Sequence, residues 1–292
     1  MAQTSVLSVG MQCGGQTWLP SAAVGATGTA KGAFGVAGSV DIRYTFYGQV
    51  GQDVGVGFAL GAGVGYGTTG LQGTNVDRFT NSDYLNNQLD YTVTSAFRQT
   101  EQFVRTEASL MMAFRFRNVT LNIGPRLMMP FAVNGSMSLK DVTISAYYPR
   151  LDVTVTNELI TGYLETPYTQ PIQPSLPKYN VLMGVEIGYE WHFSERHGLG
   201  IQVYANCGVW NNYVTQPAGQ MVSVSAISNA AQPLPVVSVN GVTEGLLSGR
   251  RYLDFGLRAY YAFTVPSTYI GTRRQPSRDT RNHHNRYLWN NL

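Results

Sequence analysis

Three residues in the second half of the chain have the types and spacing that acid–base or metal chemistry would need. Glu186, Glu190 and His192 all fall on even positions of the run 181–193. In an extended strand every second side chain shares a face, so two carboxylates and an imidazole would project together. A carboxylate–histidine pair is a fragment of a hydrolytic site, but no Ser/His/Asp arrangement can be assembled around it. As a metal site it offers Glu190 and His192 alone, and two ligands do not make a zinc centre. The spacing Gly61, Gly63, Gly65 has no following helix, which a phosphate-binding loop requires. The expectation is a chain that is not an enzyme and has no metal site and no cofactor.

The elements that carry these residues repeat one pattern. Runs of alternating apolar and polar residues occur at 5–13, 33–47, 54–71, 102–117, 119–131, 181–193, 199–210 and 252–265. In the last run Leu253, Phe255, Leu257, Tyr261 and Phe263 share one face, and Asp254, Gly256 and Arg258 share the other. The run 54–71 is uncharged over about the length that a membrane-spanning helix needs. Yet Gly55, Gly57, Gly61, Gly63, Gly65 and Gly67 sit at alternate positions, and each helical glycine costs about 0.8–1 kcal/mol relative to alanine. That run is a strand.

The links between strands alternate in length. Short ones lie at 48–53, 117–119 and 194–198, and long ones at 14–32, 68–101, 132–180 and 211–249. Only 13% of the 292 residues are charged, about half the usual share. A net charge of +3 is too small over this length to imply nucleic acid. A soluble eight-stranded barrel would bury its apolar faces and expose its polar ones. Here the polar faces carry Asp41 with Arg43, Arg105 with Glu107, and Asp254 with Arg258, charges of both signs that an apolar core would not tolerate unpaired. The apolar faces therefore point outward, into lipid. The expected fold is all-β: a transmembrane antiparallel up-and-down barrel of about eight strands in the outer membrane. Its short turns and both termini are periplasmic and its long loops external. Residues 1–265 form the barrel and 266–292 a basic periplasmic tail.

Smaller features complete the reading. The start, Met1-Ala-Gln-Thr-Ser, lacks the basic and apolar segments of a signal peptide, and the chain is expected to begin near a mature N-terminus. Cys13 and Cys207 lie on outward-facing positions with the last strand between them, too far apart for a disulfide. Pro125 and Pro130 predict a bulge or an interruption in the fifth strand. Hairpins are predicted within 141–156 and between 221–227 and 236–242.

Over residues 5–265 this layout resembles the OmpA/OmpX-like eight-stranded outer-membrane barrels, in the glycine-rich form of the Bacteroidota. The resemblance lies in topology and pattern. It implies an outer-membrane location and assembly by the barrel-insertion machinery, with Phe263 matching the aromatic strand end that closes such domains. The chain departs from that pattern by continuing past 265, and the tail shows no peptidoglycan-binding domain.

With the apolar faces outward, the lumen collects Asp41, Arg43, Arg105, Glu107, Arg115, Arg126, Glu186, Glu190, His192, Asp254 and Arg258. An eight-stranded barrel is just wide enough for side chains to fill it, so these charges are expected to pair as a plug. Glycines of the third strand make room for the arginines. A narrow ion or small-solute channel through an arginine–glutamate switch is the alternative. The tail carries Arg273, Arg274, Arg278, Arg281 and Arg286 ahead of Tyr287, Leu288, Trp289 and Leu292, a basic stretch with an apolar hook suited to an acidic partner. The expected role is a structural or accessory subunit of a larger outer-membrane assembly. Its environment is membrane lipid, and its loops and tail are for protein contacts.

Overall fold

A computed structural model of the chain describes residues 3–50, 53–82, 87–211, 220–225, 234–242 and 246–265. It contains thirteen strands: β1 (Gln3–Ala22), β2 (Thr29–Ala33), β3 (Gly35–Gln49), β4 (Val54–Ser82), β5 (Gln88–Phe116), β6 (Val119–Tyr148), β7 (Val153–Thr156), β8 (Tyr168–Ile172), β9 (Asn180–His192), β10 (His197–Gly208), β11 (Val222–Val224), β12 (Val237–Val239) and β13 (Leu247–Val265). Eight of them close into a ring in the order β1-β3-β4-β5-β6-β9-β10-β13, with β13 returning to β1 and every neighbouring pair antiparallel. Closure leaves the ring no free edge, which is what a strand-built span of a membrane requires. Among the described residues no helix is long and apolar enough to cross a membrane.

The ring has two storeys of opposite polarity. In the storey next to the short turns, outward residues are apolar and open, as with Met11 at 68% and Val203 at 62% exposure, while Arg105 and Glu186 inside are at 0%. That arrangement fits a hydrocarbon exterior. In the other storey Leu71, Leu89, Tyr91, Val93, Phe97, Phe103, Met137 and Ile144 point inward and join Trp18 and Tyr252 in one apolar core. Their outward neighbours Gln72, Thr74, Arg78, Asp90 and Arg98 are exposed, as on a protein in water.

The change of polarity marks the edge of the membrane, and the register places it at one level on adjacent strands. On β5 the outward row changes from Val104 to Gln102, on β4 from Tyr66 to Thr68, and these residues are paired, Tyr66 with Val104 and Thr68 with Gln102. On β6, Phe131 pairs with Val104 and Asn134 with Gln102. From Val104 to Phe116 on β5, at ~3.3 Å per residue and an ordinary barrel tilt near 40°, the belt is about 30 Å tall.

The long links at 14–32, 68–101 and 132–180 thus hold much strand. Of residues 68–101, expected as a polar loop, 68–82 and 88–101 are the extensions of β4 and β5, paired from Thr68 with Gln102 to Ser82 with Gln88. Residues 14–32 likewise contain the continuation of β1 to Ala22 and the strand β2, which pairs with β4. β6 runs through the first part of the excursion 132–180 and pairs there with β7 and β8. Their outer faces are Thr-, Asn- and Gln-rich because they meet water, and that composition reads as loop in a one-dimensional scan.

The prolines of β6 correct the expectation differently. Pro125 and Pro130 keep their register with Met183 and Arg105, so the strand is not interrupted. Near these prolines the β5–β6 ladder lacks the pairs of Leu110 and Met111 opposite Gly124 and Pro125. The register shifts come later, near Val133 and Asp141, and each switches which parity of β6 faces inward. Asp141 has φ of 52°, the left-handed conformation typical of such irregularities. Two further hairpins form, β6–β7 across residues 149–152 and β11–β12.

Candidate functional site

The lumen of the membrane storey is filled by ion pairs. On β3, Asp41 accepts from Arg258 of β13 at 2.5, 2.9 and 3.1 Å, and from Gln12 of β1 at 2.8 Å. Glu186 of β9 accepts from both terminal nitrogens of Arg43, from Arg126 of β6, and from Asn122 at 2.9 Å. Arg105 of β5 donates to Asp254 at 2.9 Å and also pairs with Glu107 at 2.8 Å, while Arg126 lies 3.7 Å from the other Glu107 oxygen. Asn206 closes the remaining side of Asp254 at 2.6 Å. Together these bonds link β1, β3, β5, β6, β9, β10 and β13 across the barrel axis.

The space for so many guanidinium groups comes from glycine, though chiefly from other strands than the third. A methyl group on Gly10 of β1 would lie 2.9 Å from Arg258 Nε, and one on Gly184 of β9 would lie 3.1 Å from Arg126 Nε. Gly61 of β4 stands 3.5 Å from Arg43 by the same measure.

Towards the short turns the network ends at the rim. Arg115 lies 3.5 Å from Glu190, and His192 Nε2 lies 2.7 Å from Glu190 and 2.9 Å from Arg115. Tyr260 donates to the second Glu190 oxygen at 3.0 Å. Below the main network Val6, Tyr47, Ala59, Met111, Ala113, Tyr260 and Ala262 form a small apolar floor. The imidazole is engaged with one carboxylate and one arginine, and His197, the nearest other histidine in the chain, instead contacts Tyr261 through its Nδ1. Among the described residues no group of three His, Cys, Asp or Glu side chains could hold a metal ion.

Ten of the eleven lumen residues named from the sequence, all but His192, are thus ionised groups that meet an opposite charge: Asp41, Arg43, Arg105, Glu107, Arg115, Arg126, Glu186, Glu190, Asp254 and Arg258. A second buried centre escaped the sequence reading. In the aqueous storey, Arg250 donates to both oxygens of Glu101 at 2.8 and 2.9 Å and stacks over Trp18 at 4.3 Å. Trp18 Nε1 and Gln99 also donate to Glu101, at 2.8 and 2.9 Å. The signal was present as Glu101 and Arg250 on inward parity, but Glu101 lay in a stretch taken for loop and Arg250 fell between the last long link and the last strand as read.

A cap closes the aqueous storey. Met221, Val222, Val224, Val239, Val242 and Leu246 belong to its apolar core. Val222 N donates to Asp77 at 2.8 Å, Val242 N to Gln99 at 3.0 Å, and Asn81 to the Val224 carbonyl at 2.7 Å. Outside, the segment after β7 exposes Leu159, Ile160 and Tyr163, and the cap exposes Leu234 and Val236. Gly162 of that segment abuts Val224, Pro235 and Val237, which brings the two groups together.

Cys13 and Cys207 face outward on β1 and β10, opposite Leu257 and Leu253 of the intervening β13. The tail residues Arg273, Arg274, Arg278, Arg281, Arg286, Tyr287, Leu288, Trp289 and Leu292 lie outside the described residues.

Comparisons with known proteins give only structural likenesses. No family model matches the chain, and no curated protein matches it. Among solved structures, the outer membrane protease OmpT from Escherichia coli is 8% identical, with 90% of this chain and 97% of that one covered at a TM-score of 0.25. The translocator domain of the autotransporter NalP from Neisseria meningitidis is 9% identical, covering 90% and 88% at 0.22. A FadL homologue from Pseudomonas aeruginosa is 7% identical, covering 89% and 90% at 0.17. The closed ring and its register define the fold of this chain independently of these likenesses.

Proposed function

We propose that this chain is a non-enzymatic, non-conducting barrel of the outer membrane, an accessory subunit that carries a rigid external β platform for a larger assembly. The observation that supports it is double closure. The membrane storey is filled by mutually neutralising ion pairs, and the aqueous storey above it by an apolar core and a cap. A lumen in which each charge is consumed by a neighbour offers a solute neither a wide path nor a free binding group. In this reading the chain is an OmpA/OmpX-like barrel of the Bacteroidota type, with its short turns and both termini periplasmic. The exposed apolar group Leu159, Ile160, Tyr163, Leu234 and Val236 is a docking surface for protein at the external end. The tail from Arg273 to Leu292 is the periplasmic connector.

The charged lumen also supports a second reading, a narrow ion path opened when the Arg43–Glu186–Arg126 pairs exchange partners. The accessory-subunit reading is tested by a mild-detergent pull-down from native membranes, with the tag in an external loop. Stoichiometric partners lost on deletion of residues 270–292 support it. A lone barrel at monomer mass, unchanged by the deletion, overturns it.

A further inference from the structure

Above the belt, the outward face of the barrel extension separates its charges by height. The register sets Lys31 of β2, Gln72 of β4, Arg98 of β5 and Ser138 of β6 in one row. Their sequence neighbours Ala30, Leu71, Phe97 and Leu139 pack in the apolar core, so the row itself faces out. On β5, Arg98 stands four residues past Gln102, where the belt ends, and Asp90 stands twelve residues past it. At ~3.3 Å per residue and a tilt near 40°, Arg98 lies about 10 Å above the hydrocarbon edge and Asp90 about 30 Å. Between the belt and the row the face is small and uncharged, with Gly70, Thr100 and Ser136 in register.

Three further observations single out Lys31, Gln72 and Arg98. From the belt up to Thr29, Thr74, Ala96 and Lys140, the outward face of β2, β4, β5 and β6 carries no carboxylate. The first one above is Asp141, which stands beside Lys140, and the next is Asp90 near the distal end. Secondly, Lys31 and Arg98 make no ion pair and no hydrogen bond among the described residues. Other cations are engaged: Arg250 with Glu101, Arg251 with Asn211 and Arg117 with Asp53. Thirdly, Lys31 and Arg98 flank Gln72 across two strand spacings, ~9.5 Å in all. Both side chains are long enough to meet over the Gln72 amide. An ammonium, a planar guanidinium fork and an amide N–H, with no carboxylate among them, are a donor set for phosphate.

We propose that Lys31, Gln72 and Arg98 hold the phosphate of one anionic lipid headgroup, in the leaflet next to the aqueous storey. The occupant follows from charge and level together. The polar layer beyond the hydrocarbon is about 5–8 Å thick, and long basic side chains reach along the wall to place their charge in it. A lipid whose acyl chains lie against the belt carries its phosphate to that layer, below the row and within reach of both cations. The carboxylates Asp90 and Asp141 stand farther from the membrane, where they repel no headgroup. The proposal rests on the transmembrane barrel alone and is independent of the accessory-subunit reading.

The test is native mass spectrometry of the intact chain in a mild uncharged detergent, titrated with phosphatidylglycerol and, separately, with phosphatidylcholine. Wild-type protein is expected to bind one phosphatidylglycerol ahead of all further lipids, and to bind phosphatidylcholine more weakly. Lys31→Gln/Arg98→Gln should weaken that first binding by about thirtyfold. Arg78→Gln removes a charge from the same outward face of β4, six residues farther from the membrane, and should bind as the wild type does. All three positions are exposed, so the substitutions leave the core untouched, and resistance of the folded band to SDS at room temperature checks each barrel. Equal binding by the double variant, or by phosphatidylcholine, would overturn the proposal. An equal loss in Arg78→Gln would overturn it too, since surface charge at large would then be responsible. Displacement of the lipid by millimolar inorganic phosphate would make the ligand free phosphate and refute the lipid assignment.

Discussion

Replacing Glu186 with glutamine isolates the part of the barrel that ion pairing holds together. The carboxylate is fully buried and accepts from Arg43, Arg126 and Asn122. Glutamine keeps the volume and one acceptor but removes the charge, and its amide turns donors toward guanidinium groups that are themselves donors. Arg43 and Arg126, with side chains 4% and 2% exposed, would then share one site with no carboxylate between them. Breaking a buried pair from one side costs about 3–5 kcal/mol. The surface pair Arg117–Asp53, at 71% and 50% exposure, provides the contrast. Arg117→Gln there should change stability by no more than about 1 kcal/mol. The assay is reversible urea unfolding in lipid vesicles, followed by tryptophan fluorescence. A second variant, Glu186→Gln/Arg126→Gln, restores the balance of charge and should recover part of the loss. A Glu186→Gln barrel within about 1 kcal/mol of wild type would refute the idea that the lumen is a mutually dependent network.

Other consequences follow from the aqueous storey. Glu101→Gln leaves Arg250 without its carboxylate beside Trp18, and should destabilise the extension beyond the membrane belt by about 3–5 kcal/mol while shifting Trp18 emission. Proteolysis of the extension, with the membrane belt left intact, reads out the loss. At the β6 irregularity, Asp141→Gly should be neutral or stabilising, whereas Asp141→Val should cost about 1–2 kcal/mol in the same unfolding assay. Tyr147, in the β6–β7 hairpin beyond the membrane, donates to Asp152 at 2.9 Å, and this bond raises its pKa above the ordinary tyrosine value. Because the folded pKa is the higher one, the contribution is complete below about pH 10 and is lost as pH rises through the folded pKa. Asp152→Asn should move the Tyr147 midpoint, followed by NMR of ring-labelled tyrosine, back toward about 10.

The membrane storey was legible because a strand with a polar lumen and a lipid exterior writes its two faces as alternate letters. Asp41–Arg43, Arg105–Glu107 and Asp254–Arg258 share the inward parity of their strands, where all are buried but Glu107, which is half-buried. The aqueous storey was not read, although β5 alternates just as regularly above the membrane as within it. Leu89, Tyr91, Val93 and Phe97 have the same parity as Arg105 and Glu107. The polarity of the two faces exchanges near residue 103, and a search for outward apolar rows stops at that point. On β6 the irregularities at Val133 and Asp141 change the parity itself, so no single two-residue period spans the strand. Pairings between distant segments, such as Trp18 with Glu101 and Arg250, depend on register and have no local signature.

The central claim is that the lumen is closed, and single-channel recording of the purified wild-type chain in planar bilayers tests it most directly. The account predicts a flat baseline at moderate voltage and salt, with no reproducible unitary steps. Regular ohmic openings in the wild-type protein would contradict it and would make the Arg43–Glu186–Arg126 cluster a gate rather than a plug.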